Sequence, residues 1–342
     1  MSGDRQHFLP RFLQRGFTTH PGSERTWLYR KGQEPREVGI GDIGMERQFY
    51  TESGDSSVDH AITEAEATEF SSIVARARES IGDFVDSGIP RLIAHFEVRS
   101  RNLREGAVEV LERMWAGISY KIQEPGVLEA MLARRLELQR SRTLADIKKE
   151  LRSKGLPESK APQMLRHLKR ALPIVARSPE VTQMAALLRI LLPATFKEGA
   201  KLGQINALRR SIAPEIRVEV YRRLKFTVEE VTDANMILGD SAVIFLVETN
   251  TYKPFLDKND VVQALFLPVS SSRVVVGSRE RFTFSSNELQ HHVARCSYDF
   301  FVAAANSDTN RQLMAAIRSE ALPLSDEAID ELVTKIVDSQ LN

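Results

Sequence analysis

The chain has a single cysteine, Cys296, in 342 residues. That excludes an intramolecular disulfide and a cysteine-based zinc site, and it fits a reducing cytoplasm. Long hydrophobic runs are also missing. The most apolar stretch, Met184 to Phe196, is interrupted by Arg189 and Pro193 and is too short for a membrane span. The first fifteen residues hold Asp4, Arg5, Arg11 and Arg15 and no apolar core, so they do not read as a signal peptide. There is no P-loop pattern, no dinucleotide glycine fingerprint after a strand, no HExxH and no GxSxG. What remains is an ordinary globular composition, 42% hydrophobic and 27% charged, with room for one large domain or two.

Excess charge of either sign is absent overall, but the net +1 conceals a division. Residues 1–100 carry net −4, residues 101–225 net +13 and residues 226–342 net −8. A basic middle between acidic ends points either to contact with a polyanion or to neutralisation of one part by the others. The stretch from Arg134 to Arg177 concentrates this charge, with 13 Lys/Arg against 4 Asp/Glu. It has no aromatic residue, so any nucleic acid bound there would be held by phosphate contacts rather than base stacking.

The pattern divides the chain into three regions. Residues 1–56 read as a mixed segment whose runs at 27–31 and 36–40, around a Gly32-Gln33-Glu34-Pro35 turn, form a hairpin. Residues 57–223 read as helical. Thr63-Glu64-Ala65-Glu66 has capping-box spacing. Ile89, Leu92, Ile93 and Phe96 share one face of a helix over about 89–103, and Ser178-Pro179-Glu180 opens an apolar helix through Leu192. Pro157, Pro162, Pro173, Pro193 and Pro214 are expected to cut the region into short helices. From 224 to 342 the period changes. Runs at 225–228, 236–238, 243–247, 263–267 and 273–277 predict a sheet of four or five strands, followed by helices at Ser285-Ser286-Asn287-Glu288, at about 308–320 and at 326–340. The hairpin and the distant sheet could pair. That gives a predominantly helical α+β fold, with an N-terminal hairpin, a C-terminal mostly antiparallel sheet and a large helical insertion between them.

Three constellations carry the remaining chemistry. His7 and Arg11 lie in the opening Gln6-His7-Phe8-Leu9-Pro10-Arg11-Phe12, a segment too aromatic for a disordered leader. A histidine can move protons near neutral pH and an arginine can hold a carboxylate or phosphate, but both can equally anchor the terminus. Arg91, His95 and Arg99 form an i, i+4, i+8 row that could line an anion pocket or simply border the core. Asp233-Ala234-Asn235-Met236-Ile237-Leu238-Gly239-Asp240-Ser241 ends a strand in Gly-Asp-Ser. Asp240 there suits a general base or metal ligand, or an Asx-type turn. His291-His292 has no partner at metal spacing.

Taken together, the opening Gln6-His7 through Phe17, the Phe49-Tyr50-Thr51 run with the acidic helix around Glu64, Glu66 and Glu69, and the segments Met236–Ser241 and Phe266-Leu267-Pro268-Val269-Ser270 resemble a bacterial family, domain-of-unknown-function family 4238. Ala305-Asn306 fits it as well. Val269 stands where leucine is usual, and Ala242 where a proline is often found. The resemblance implies a bacterial, cytoplasmic protein. It transfers no activity, metal or cofactor, but it groups His7, Pro10, Arg11, Arg99 and Asp240.

The favoured expectation is an enzyme or effector acting on a phosphate-containing substrate, nucleic acid among them. His7 and Asp240 are then catalytic, and Arg11 and Arg99 anion-binding. The alternative is a non-catalytic module that docks nucleic acid or an acidic protein through 134–177, without a membrane. A structural partner in a larger assembly is the third reading.

Overall fold

The computed structural model describes residues 5–52, 54–231 and 235–341, so Asp4, Asp233 and Ala234 of the sequence reading lie outside it. The chain runs β1 (Arg5–His7), α1 (Arg11–Gln14), β2 (Arg25–Arg30), β3 (Arg36–Gly39), β4 (Met45–Arg47), α2 (Ser57–Ala65), α3 (Ser71–Glu79), β5 (Gly82–Asp83), α4 (Ile89–Arg99) and α5 (Arg101–Ile122). Helices α6 (Val127–Leu138), α7 (Arg140–Ser153), α8 (Ala161–Ala176), α9 (Pro179–Arg210) and α10 (Glu215–Arg222) follow. Strands β6 (Lys225–Glu230), β7 (Leu238–Gly239), β8 (Ile244–Val247), β9 (Thr251–Lys253), β10 (Val262–Ser270) and β11 (Arg273–Ser278) lead to α11 (Ser286–Cys296), β12 (Phe300–Ala303), α12 (Asp308–Leu313) and α13 (Asp326–Leu341). The fold is α+β. It divides into two compact units, one of residues 1–108 and 198–323, the other of 109–197 and 324–342.

The first unit holds all the strands described. A six-stranded antiparallel sheet has the order β5-β6-β11-β10-β8-β9. Its centre is the β10–β11 hairpin, with Phe266 opposite Val276, and almost every β10 side chain is buried. Such a strand is apolar on both faces because both faces are covered, which is why it reads as a continuous run rather than an alternation. Pro268 has no N–H to give to the ladder, and the register shifts between Pro268 and Ser270.

The N-terminal hairpin β2–β3 does pair with the C-terminal part of the chain. Its sheet has the order β3-β2-β12-β7, with Tyr29 opposite Phe301. The run at 236–238 therefore contributes not to the large sheet but to this smaller one, through Leu238–Gly239. Strands β5 and β9 carry no sequence signal of their own: each is two or three residues long and sits at a sheet edge.

Several helix boundaries differ from the sequence pattern. Thr63 lies inside α2, which starts at Ser57, where the Ser57 amide donates to Asp55. The capping-box spacing at 63–66 is thus coincidental, and Glu66 instead opens a π-helical turn over Glu66–Phe70. The helix at 89 stops at Arg99, and Ser100 leaves helical geometry before α5 begins. Pro173 and Pro193 sit within α8 and α9 rather than ending them. A proline removes one hydrogen bond but its fixed φ is compatible with a helix, so flanking turns can carry it through.

The opening segment is tied to the large sheet. Gly16 accepts from the Ser271 amide at 2.9 Å, and Arg78 of α3 donates to the carbonyls of Phe12, Leu13 and Val269. A Cβ on Gly16 would lie 2.1 Å from the Val269 carbonyl oxygen, which is backbone and cannot rotate away. Gly16→Ala should therefore destabilise the first unit by roughly 2–3 kcal/mol, read as a lower urea midpoint, whereas Gly199→Ala on α9, where a Cβ meets nothing within 4 Å, should not.

Candidate functional site

The site is built around Arg99, the last residue of α4, which is 1% exposed. Its Nε donates to the Tyr50 hydroxyl at 3.1 Å, and that hydroxyl donates back to the Arg99 carbonyl. Nη1 reaches the Glu66 carboxylate and, at 2.9 Å, His95 Nε2. Nη2 donates to the His7 carbonyl oxygen. Four of the five guanidinium N–H groups are thus engaged. The contact fixes His95 as an acceptor at Nε2, so its Nδ1 carries the proton that goes to the Ile212 carbonyl, 3.0 Å away. Burial, reinforced by Arg99, drives the His95 pKa well below the usual histidine value, and the ring is neutral. Burial alone would lower the Arg99 pKa, but Glu66 and Tyr50 outweigh it and hold the guanidinium charged.

The row Arg91, His95, Arg99 splits. Arg91 is on the surface, paired with Glu69 at 2.9 Å, while His95 and Arg99 are interior.

His7 is held by its backbone. β1 pairs with β4, placing His7 opposite Met45. Beside it the buried Gln6 side chain donates to Thr51 Oγ1 at 2.7 Å and accepts from the Tyr50 amide at 2.6 Å. The Gln-His opening and the Phe49-Tyr50-Thr51 run are thereby one hydrogen-bonded unit. Burial lowers the His7 pKa to about 4, opposed by the Ile43 backbone and assisted by Arg11, Arg99 and Arg5. Arg11 itself points to the surface, where it shares Glu24 with Arg15.

Asp240 follows β7 and is 3% exposed. Its carboxylate accepts from the amides of Tyr298 at 2.8 Å, Asp299 at 2.7 Å and Phe300 at 3.3 Å. Burial and the nearby Asp299 push its pKa up to about 6 against these amides. Ser241 donates to the Cys296 carbonyl, and Asn102 of α5 donates to both. Gly239 gives the turn the close approach it needs: a Cβ there would meet Ser297 Oγ at 2.5 Å.

Arg99 and His7 are therefore brought together, through a main-chain oxygen. Among the described residues no hydrogen bond or ion pair joins Asp240 to either of them. Between them lies a network the sequence did not reveal. Asp299 pairs with Arg30 at 3.3 Å and Arg101 at 3.6 Å, and Glu46 pairs with Arg101 at 3.8 Å and Arg104 at 3.0 Å. The three guanidinium groups lie over Phe300, Phe8 and Phe49 respectively. Arg101 and Arg104 share a helix face by i, i+3 spacing, which is the one local signal; Glu46 and Asp299 come from distant loops and strands. Among the described residues no group of three His, Cys, Asp or Glu is placed to hold a metal.

This is an α+β protein whose N-terminal opening and acidic helix meet around the buried Arg99, and whose C-terminal strand ends pair with the half-buried Arg30 and Arg101. The chain belongs to the family described as Protein of unknown function (DUF4238), whose profile matches residues 5–295. No curated protein and no solved structure matches it.

Two outcomes follow from the geometry. Arg99→Met strands the Glu66 carboxylate and the His7 carbonyl and should cost about 3–5 kcal/mol in urea unfolding, with Arg99→Lys recovering only part because an ammonium cannot span the same acceptors. His7 has a folded pKa of about 4 against 6.5 unfolded, so the unfolded state binds more protons between those values. Its contribution is complete above pH 6.5 and is lost as pH falls toward 4, and His7→Asn should flatten the stability–pH curve in that window.

Proposed function

We propose that the protein is a non-catalytic binding module that docks a polyanion, nucleic acid in the first instance, through the basic helices at 134–177. The observation that carries this reading is the state of the basic side chains. Of the thirteen Lys/Arg between Arg134 and Arg177, three have an ion pair among the described residues: Arg152 with Glu158, Lys154 with Glu150 and Lys169 with Glu137. Internal neutralisation would have paired most of them. Helices α6, α7 and α8 pack on one another, so the remaining charges sit on one small helical assembly. Arg140, Arg142, Lys148, Lys149, Arg166 and Arg170 are all exposed there. With no aromatic side chain in the segment, the contacts would be to phosphate and insensitive to sequence.

The reading as an enzyme acting on a phosphate-containing substrate stands second. Its support is the Asp240 carboxyl near pKa 6, a value suited to a general base. It needs Arg99 to leave its present partners and Asp240 to leave three amides, which the binding reading does not. Folded His7→Ala and Asp240→Asn variants that retain every wild-type phenotype would count against it.

Fluorescence anisotropy with a labelled DNA duplex tests the first reading. Affinity should fall steeply as salt rises from about 50 to 200 mM. Changing Arg140, Arg142, Lys148 and Lys149 together to Gln should reduce the slope of log affinity against log salt by up to about 3.6, about 0.9 for each phosphate no longer neutralised. Absence of binding at about 50 mM salt, or binding that salt does not change, would sink it. Binding of polyglutamate without DNA would transfer the surface to an acidic protein partner.

A further inference from the structure

In the second unit, nine consecutive residues of α9, Gln183 to Leu191, are all exposed, and seven of the nine are apolar. A helix that is apolar on every side belongs in an interior, not in water. The largest exposures are Ile190 at 73%, Met184 at 63%, Leu191 at 59% and Leu187 at 58%. Met184, Leu187, Leu191 and Ala194 follow 3-4-3 spacing, the a and d positions of a heptad, with Ile190 and Leu188 flanking that seam on either side. Arg189, the only charge between Glu180 and Lys197, falls on the opposite face together with Pro193. A second surface can therefore lie along the seam without burying a charge. Val181, Ala185 and Leu188 border α5 and α6 beside Ile122 and Leu128, whereas Leu187, Ile190 and Leu191 lie on the other side of α9.

Area and pattern together say what covers this stripe. The exposed fractions of Met184, Leu187, Leu188, Ile190 and Leu191 amount to about three whole apolar residues, on the order of 500 Å², a patch of the size that marks an interaction site. A standard interface takes about 800 Å² from each partner, with an apolar centre and a polar rim. The stripe supplies that centre, and the exposed Gln183, Thr195 and Lys197 beside it supply rim. The residues of this sequence outside the description come in runs of at most four, against about three turns of helix to be covered. No described helix is long and apolar enough to cross a membrane. A helix lying in a membrane surface carries a strongly charged face, where 181–196 has Arg189 alone. A seam of 3-4 spacing is matched by another of the same spacing, which the same helix of a second copy presents. Two-fold pairs of identical chains are also the commonest closed assemblies.

We propose that the chain forms a two-fold dimer through α9, with Met184, Leu187, Leu191 and Ala194 packed against the same seam of a second copy. The dimer does not rest on polyanion binding. It brings two sets of the basic helices α6–α8 into one particle, which adds avidity to any binding at 134–177.

Sedimentation velocity of the full-length protein should give twice the mass of one chain in the micromolar range, and its urea midpoint should rise with protein concentration. Leu187→Glu with Leu191→Glu alters two side chains that are exposed in the single chain, so far-UV circular dichroism should stay unchanged. The pair should raise the dimer dissociation constant at least about hundredfold. Arg189→Glu, on the opposite face, should leave it within about threefold. Should the glutamate pair fail to fold, Leu187→Gln with Leu191→Gln is the milder form, with a loss of at least about tenfold. The proposal fails if the protein is a monomer up to about 100 μM. It fails too if the folded Leu187 and Leu191 variant dimerises as well as its parent, or if Arg189→Glu disrupts the dimer as strongly. A monomer that pellets with phosphatidylserine vesicles would overturn it in favour of a membrane surface.

Discussion

One buried guanidinium, Arg99, is the constraint on which the first unit depends. A charge with 1% exposure is tolerable only when nearly every N–H has an acceptor and a counter-charge is close. Glu66, Tyr50, His95 and the His7 carbonyl supply both, and all but His95, one turn back on α4, come from separate parts of the chain. The π-helical turn at Glu66–Phe70, the β1–β4 pairing and the end of α4 must therefore be in place together. Gln6, bonded to Tyr50 and Thr51, extends the same clamp to the next layer.

Asp240 does for the C-terminal strands what Arg99 does for the N-terminal ones. It gathers three consecutive amides where the chain enters β12. The cost is a carboxylate held out of water, visible as the raised pKa. Residue types that suggest catalysis in a sequence, a histidine, arginines and an aspartate, can thus be recruited to hold distant segments in register. In the second unit the balance is different: most basic side chains of α6–α8 stay exposed, and so do Met184, Leu187, Ile190 and Leu191 of α9.

Much of this is legible in the sequence, and unevenly. The hairpin, the strands at 225–230, 244–247, 262–270 and 273–278 and the helices at 89, 286 and 326 carry strong local periodicity and appear where expected. Boundaries governed by tertiary contacts did not. Thr63 has capping-box spacing yet lies in mid-helix, because the Asp55–Ser57 contact starts α2 earlier. Leu238–Gly239 looks like a strand of the large sheet, but its partner is β12. Arg99 and Asp240 stood out as unusual positions; their neighbours Glu66 and Tyr50 appeared only as members of separate motifs, and Glu46, Arg101, Arg104 and Asp299 did not stand out at all.

The sequence by itself determined the α+β class, the position of the basic helices and the order of the elements, because periodicity, turn residues and charge are properties of short windows. Only the tertiary structure decided what the polar motifs are for. Whether an arginine binds a ligand or a carbonyl depends on which groups fold into its reach, and for Arg99 those groups lie up to 92 residues away in sequence.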